Sequence, residues 1–201
     1  MRRPALGTLV LMPAVFWPEP AAAHLVGMEF GDFYAGALHL ITSPANLALL
    51  VALAVLAGMQ KREAARWALL ALPLGLAMGV AAAAVTELPD DLGPASALGF
   101  AATGVLAAFA LRLPALALAL LASGAGLVIG IENGATGRGV EIDWTLFAGG
   151  IIATGALIGT LLIAISAALH DWQAWVKLGQ RVLGSWFAAI GAMALALALA
   201  S

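Results

Sequence analysis

Six apolar runs of about membrane-spanning length constrain this chain more than any other feature. They cover residues 34–58, 67–86, 95–111, 113–131, 144–169 and 182–200. A helix needs about 20 apolar residues to cross the hydrocarbon core, and the runs lack the alternation of barrel strands. The chain is 63% hydrophobic and only 10% charged, so it has too few polar side chains to cover a water-soluble domain. The sequence therefore predicts an all-α, polytopic membrane protein with six transmembrane helices.

The N-terminal residues 1–23 have the composition of a secretory signal peptide. In order, they contain a basic end at Arg2 and Arg3, an apolar stretch over 5–17 and small residues over 21–23. Cleavage would leave a transmembrane domain of residues 24–201 that begins at His24. The alternative is an uncleaved first helix, which Pro13 and Pro18 disfavour.

Basic residues fall almost entirely on one side of the predicted spans. The loops of that side contain Lys61, Arg62, Arg66, Arg112, Lys177 and Arg181. Loops on the other side contain only Arg138. Because Lys and Arg are enriched in cytoplasmic loops, we expect external N- and C-termini and a multi-pass protein of the bacterial inner (cytoplasmic) membrane.

Acidic residues favour the opposite, external side. They are Glu29, Asp32, Glu87, Asp90, Asp91, Glu132, Glu141 and Asp143. Such a surface would raise the local concentration of cations. The alternative is that acidic residues are tolerated outside because they contribute little to topology.

The start of the first apolar run is unusually polar. Asp32, His39 and Asn46 recur every seven residues, so each step turns by only about 20° around a helix. Pro44 removes a backbone donor, which would leave the Leu40 carbonyl without its helical partner. This pattern predicts a small-cation site at a broken membrane helix. The alternative is a kinked helix whose polar groups satisfy one another or a neighbouring helix.

The side chains available for a metal are limited, because the chain has no cysteine and only three histidines. An extended segment from His24 can fold back toward Asp32 and His39, and Asn46 lies on the same stripe. We therefore predict these four residues as the metal ligands. Imidazole, carboxylate and amide groups suit Ni²⁺, Co²⁺, Zn²⁺ or harder ions. His170 lies at the opposite membrane face, where an interfacial role is expected.

An enzymatic function is not expected. Ser123 and His170 are the only suggestion of a nucleophile with a base, and they differ in depth by roughly 15 Å, too far for the required hydrogen bond. No phosphate-binding motif occurs, and no nucleic-acid partner is predicted.

Glycines at four-residue spacing predict close contacts between helices. They are Gly75 and Gly79, then Gly126, Gly130 and Gly134, and finally Gly155 and Gly159.

Residues 36–49 read GALHLITSPANLAL. Together with the start at His24, this segment resembles the HupE/UreJ family of hydrogenase and urease accessory membrane proteins, regarded as nickel or cobalt permeases. Members typically have a cleaved signal, a mature chain beginning with histidine and a run resembling GF-HP-(x)-G-DHLLA. The resemblance extends over the mature chain, including residues 111–114 and the Leu169-His170 pair. It implies Ni²⁺ or Co²⁺ as the transported ion; no resident cofactor is firmly implied.

Two departures from the family pattern affect the expected substrate. The family's Asp-His pair falls on Ala45 and Asn46, and its second histidine-rich motif falls on 129–134, where only the glycines remain. Fewer nitrogen ligands should weaken the preference for nickel. Three functions therefore stay open: a divalent-cation permease, a permease retuned to another substrate, or a non-transporting subunit that binds a membrane-protein partner or assembles a complex.

Overall fold

The computed structural model describes residues 31–87 and 92–200, and this part of the chain forms seven helices. They are α1 (Asp32–Thr42), α2 (Pro44–Gly58), α3 (Arg62–Val85), α4 (Gly93–Ala108), α5 (Ala115–Ala135), α6 (Trp144–Trp172) and α7 (Ala174–Ala200). The all-helical prediction is confirmed over these residues. The predicted signal peptide and His24 lie outside them.

Four of the helices, α3, α5, α6 and α7, are long and apolar enough to cross a membrane, and the bent pair of α1 and α2 can form a fifth span. The remaining predicted span, over 95–111, corresponds to α4, which has only 16 residues, about 24 Å of helix. It ends early because Ala110 has a positive φ of 50° and Pro114 follows closely. The described residues thus show four to five spans by length.

Helices α3 and α5 lie side by side with their backbones in contact. A Cβ atom added to Gly75 would lie 2.1 Å from the Ser123 carbonyl oxygen, and one added to Gly126 would lie 2.4 Å from that of Leu72. Gly79 approaches the backbone of α5 in the same way. The close approach predicted from the glycine spacing is therefore confirmed for this pair.

Two glycines of α6 receive leucine side chains, whereas a third, Gly150, lies against the Phe33 backbone of α1. A Cβ atom on Gly155 would lie 2.7 Å from Leu76 and 3.2 Å from Leu40, and one on Gly159 would lie 2.4 Å from Leu72. These leucines are almost fully buried. The buried core of the bundle therefore includes the junction of α1, α3 and α6, together with the buried leucines of α2.

Helix α7 packs antiparallel to α4 through small residues. Gly104 lies against the backbone of Ala188, and Gly191 lies against that of Ala101. Most other side chains of α7 are exposed, so this helix lies at the edge of the bundle.

Helices α2 and α4 run parallel, with a nearly constant separation along the sequence. Leu49 packs on Gly99, fifty residues later. At the far end, the Gln60 amide donates to the Leu111 carbonyl at 3.0 Å and accepts from the Leu113 N–H at 2.9 Å. These contacts fix the axial alignment of the two helices.

Candidate cation site

The first predicted span is broken at the position expected from Pro44. Helix α1 ends at Thr42, Ser43 is extended (φ −87°, ψ 105°), and α2 begins at Pro44. The residue before a proline avoids the helical region, and proline fits the first position of a new helix. The two helices meet at a bend of 71°. The predicted break in the backbone is therefore confirmed.

The carbonyl groups at the break are largely satisfied by neighbouring donors. The Thr42 hydroxyl donates to the Leu38 oxygen at 2.9 Å and to the His39 oxygen at 3.3 Å. The Ser43 N–H donates to the Leu40 oxygen at 3.4 Å. As expected, the Leu40 carbonyl has no helical partner at Pro44, but the extended Ser43 turns its own N–H back to that oxygen by one short turn. This bond is long and uses one of the two lone pairs of the oxygen.

Asp32, the first predicted ligand, lies at the start of α1 and fastens it to α6. Its Oδ2 atom accepts the Asp143 N–H at 2.8 Å. Asp143 in turn caps α6, accepting from the N–H groups of Thr145 and Leu146. Gly36, one turn further along α1, lies so close to α6 that an added Cβ would be 2.2 Å from the Phe147 oxygen. Two carboxylates therefore share this end of the bundle.

The bend separates the remaining predicted ligands into two environments. His39 is half-buried near the end of α1, whereas Asn46 lies on α2 and is only 2% exposed. Because the helix does not continue through Ser43, Asn46 does not extend the line of Asp32 and His39. The continuous polar stripe expected from the seven-residue spacing is thus interrupted. His24 lies outside the described residues, so its predicted role stays a prediction.

Three polar residues that the ligand prediction omitted lie near this end. The Ser96 hydroxyl on α4 donates to Glu132 Oε1 on α5 at 2.8 Å. Next to Glu132, Asn133 is fully buried and its Nδ2 donates to the Ile129 oxygen at 2.7 Å. The signal in the sequence was a Glu-Asn pair inside an apolar run, at the position of the family's missing histidines. From the sequence alone, residues 129–134 were interpreted only as a segment that has lost the family's histidines, and not as a source of oxygen ligands.

His170 lies at the other end of the bundle in a separate polar network. Its Nδ1 atom is 2.6 Å from Gln180 Oε1, and the Gln180 amide donates to the Ser166 carbonyl and hydroxyl oxygens. These bonds join α6 to α7. His170 therefore helps to hold α6 and α7 together, and it lies far from those predicted metal ligands that the structure describes.

Over residues 31–87 and 92–200, no three His, Asp or Glu side chains cluster in a way that could hold a metal ion. A cation bound by described residues alone would therefore need amide, hydroxyl or carbonyl oxygens as well.

The sequence profile of the family described as HupE / UreJ protein matches residues 11–194. This chain belongs to the HupE/UreJ family. No curated protein and no solved structure matches it. Family membership and the apolar helices together identify a HupE/UreJ protein of several membrane-spanning helices.

Proposed function

We propose that this HupE/UreJ protein is a permease that moves a divalent transition-metal cation, nickel or cobalt in the family pattern, across the bacterial inner membrane. The observation that carries the proposal is the 71° break in the first span, with a buried asparagine just beyond it. Broken membrane helices place polar backbone and side-chain groups at membrane depth, and these are tolerated where they line a cavity or are buried in protein.

In the proposed mechanism, carboxylates at the outer end collect the cation. Asp32 and Asp143 lie adjacent there, and negative charge raises the local cation concentration. His24, Asp32, His39 and Asn46 then replace part of the hydration shell as the ion passes the break. The chain contains no nucleotide-binding motif, so movement would be channel-like or driven by an ion or proton gradient. The proposed role is transport rather than an enzymatic reaction.

The proposed topology has six crossings with both ends of the mature chain outside. Helix α4 would supply the sixth crossing, because it runs parallel to α2 and the residues after it are bound to Gln60. The loop with Lys61 and Arg62 would then be cytoplasmic. Removal of residues 1–23 as a signal peptide completes this proposal.

Uptake of radiolabelled Ni²⁺ and Co²⁺ by cells expressing the chain tests the function. We expect uptake above that of cells without the chain, and at least a tenfold loss in His39→Ala, because His39 supplies the only imidazole near the break among the described residues. His170→Ala is the matched control, since it removes a histidine at the opposite end. Equal uptake by wild type and His39→Ala, at equal expression, would remove the proposed role of His39.

A second candidate is a non-transporting subunit that binds a membrane-protein partner. One observation favours it: an apolar groove of about 700 Å³ lies between α2, α6 and α7, lined by residues such as Val51, Leu162 and Leu183. A transmembrane helix of a partner would fill such a groove. A stoichiometric partner in the purified complex, released by Leu183→Trp, together with no cation uptake, would favour this candidate over the permease.

A further inference from the structure

Two buried amide oxygens lack a hydrogen-bond donor. They are Oδ1 of Asn46 and Oδ1 of Asn133, and no other buried side-chain nitrogen or oxygen in the described part of the chain is left unsatisfied. Asn46 is 2% exposed and Asn133 is fully buried. Leaving such a group unpaired costs roughly 1–3 kcal/mol, so each calls for an explanation, and a role as a cation ligand is one.

Both oxygens lie at the same depth of the bundle. Leu49 packs on Gly99 in the parallel alignment of α2 and α4, so Asn46, one turn before Leu49, is level with Ser96. Ser96 donates to Glu132 at 2.8 Å, and Asn133 is the next residue of α5. A chain of contacts across three helices therefore brings these polar groups to one level, near the outer end.

Both asparagines also face the interior. Asn46 lies one helical turn before Leu49 and Leu50 and shares their face of α2. Leu49 packs on α4, and the Leu50 side chain lies near Gly159 of α6. Asn133 lies between Gly130 and Gly134 of α5, which pack on α3, and its side chain is fully buried. Both side chains are therefore enclosed by neighbouring helices at this depth of the bundle.

We propose that these groups form an oxygen-only cation site, and that its cargo is a hard divalent cation such as Mn²⁺ or Mg²⁺. The ligands are Oδ1 of Asn46, Oδ1 of Asn133, the Glu132 carboxylate and the Ser96 hydroxyl, which would turn its proton away from Glu132. The inference rests on the proposed permease function, and it replaces nickel or cobalt by a hard divalent cation as the cargo of that pathway.

The chemistry of this ligand set selects against a nickel-type site. Carboxylate, amide and hydroxyl oxygens suit Mg²⁺ and Mn²⁺, whereas imidazole nitrogen suits nickel and cobalt. A single carboxylate with neutral oxygens leaves room for bound water, and Mg²⁺ usually keeps several waters. His39 would then contact the ion only as it passes the break, outside this site.

The test uses the purified full-length chain and Mn²⁺ as the probe. Bound Mn²⁺ is paramagnetic, and pulsed electron paramagnetic resonance detects a directly coordinated imidazole through its ¹⁴N coupling. We expect Mn²⁺ to bind without that coupling. Detection of a coordinated imidazole, or no binding of Mn²⁺ or Mg²⁺, would overturn the proposal, and this readout needs no variant to fold.

Substitution of the two asparagines is a second test of the proposed site. We expect Asn46→Leu and Asn133→Leu each to lower Mn²⁺ affinity at least tenfold without lowering the thermal midpoint of the metal-free protein, because each removes an unpartnered buried oxygen. Thr103→Val is the control, since its buried hydroxyl already donates to the Gly99 oxygen and lies two turns deeper. Unchanged Mn²⁺ affinity in both asparagine variants would contradict the site.

The two proposals fail in different ways. Uptake of Ni²⁺ by cells, with a nitrogen-coordinated or absent Mn²⁺ signal, would overturn the oxygen-only site and leave the permease. Oxygen-coordinated Mn²⁺ in a chain that moves no cation would overturn the permease and leave the binding site.

Discussion

At the scale of single residues, glycine determines how closely the helices approach. Gly36 is one such case, because an added Cβ would lie 2.2 Å from the Phe147 oxygen. We expect Gly36→Ala to push α1 away from α6 and to lower the free energy of unfolding by about 1–3 kcal/mol. Thermal or denaturant unfolding of the purified chain measures this. In Gly124→Ala, where the new Cβ meets nothing within 4 Å, stability should stay the same or rise slightly. Equal losses in both variants would contradict the packing assigned to Gly36.

The sequence was sufficient to predict the residues that act locally and insufficient for those that act across helices. Pro44 determines its own break, because a ring without an N–H restricts the residue before it wherever it lies. The pair of Ser96 and Glu132 joins residues on different helices, so it depends on helix alignment that no local pattern contains. The bond from Ser43 to the Leu40 oxygen likewise required the actual geometry of the break.

At the scale of helices, the bend shortens the distance between the two ends of the first span, and this distance can be measured. Spin labels at Tyr34→Cys and Lys61→Cys, two exposed positions in a chain without cysteine, report the distance across α1 and α2. The 71° bend predicts roughly 30 Å, whereas one straight helix over the same residues would give roughly 40 Å. Pulsed dipolar spectroscopy measures this in lipid. A distance near the longer value would show that the span is continuous.

The apolar runs were sufficient to predict which segments form helices, but not where those helices end. The run predicted over 95–111 ends as a helix at Ala108, since Ala110 adopts a positive φ and the chain turns toward Pro114. Gly155 and Gly159 of α6 meet leucines of α1 and α3 instead of a backbone, because spacing alone does not identify the neighbouring helix.

At the scale of the whole molecule, topology is open to direct measurement. Val140→Cys, in the loop between α5 and α6, and Lys61→Cys, before α3, are both exposed. The distribution of basic residues predicts that a membrane-impermeant maleimide labels the former in intact cells. The latter should react only after permeabilisation. Labelling of Lys61→Cys in intact cells would reverse the proposed orientation, and with it the external position of the break.

Ion flux through the purified chain in liposomes tests the central claim, that the broken first span lies on a cation pathway, most directly. Inward movement of radiolabelled Ni²⁺, Co²⁺ and Mn²⁺ is followed against empty liposomes. We predict saturable flux of at least one of these ions, at least tenfold lower in Asn46→Leu and unchanged in Thr103→Val. Flux at the level of empty liposomes, or equal flux in wild type and Asn46→Leu, would contradict the account.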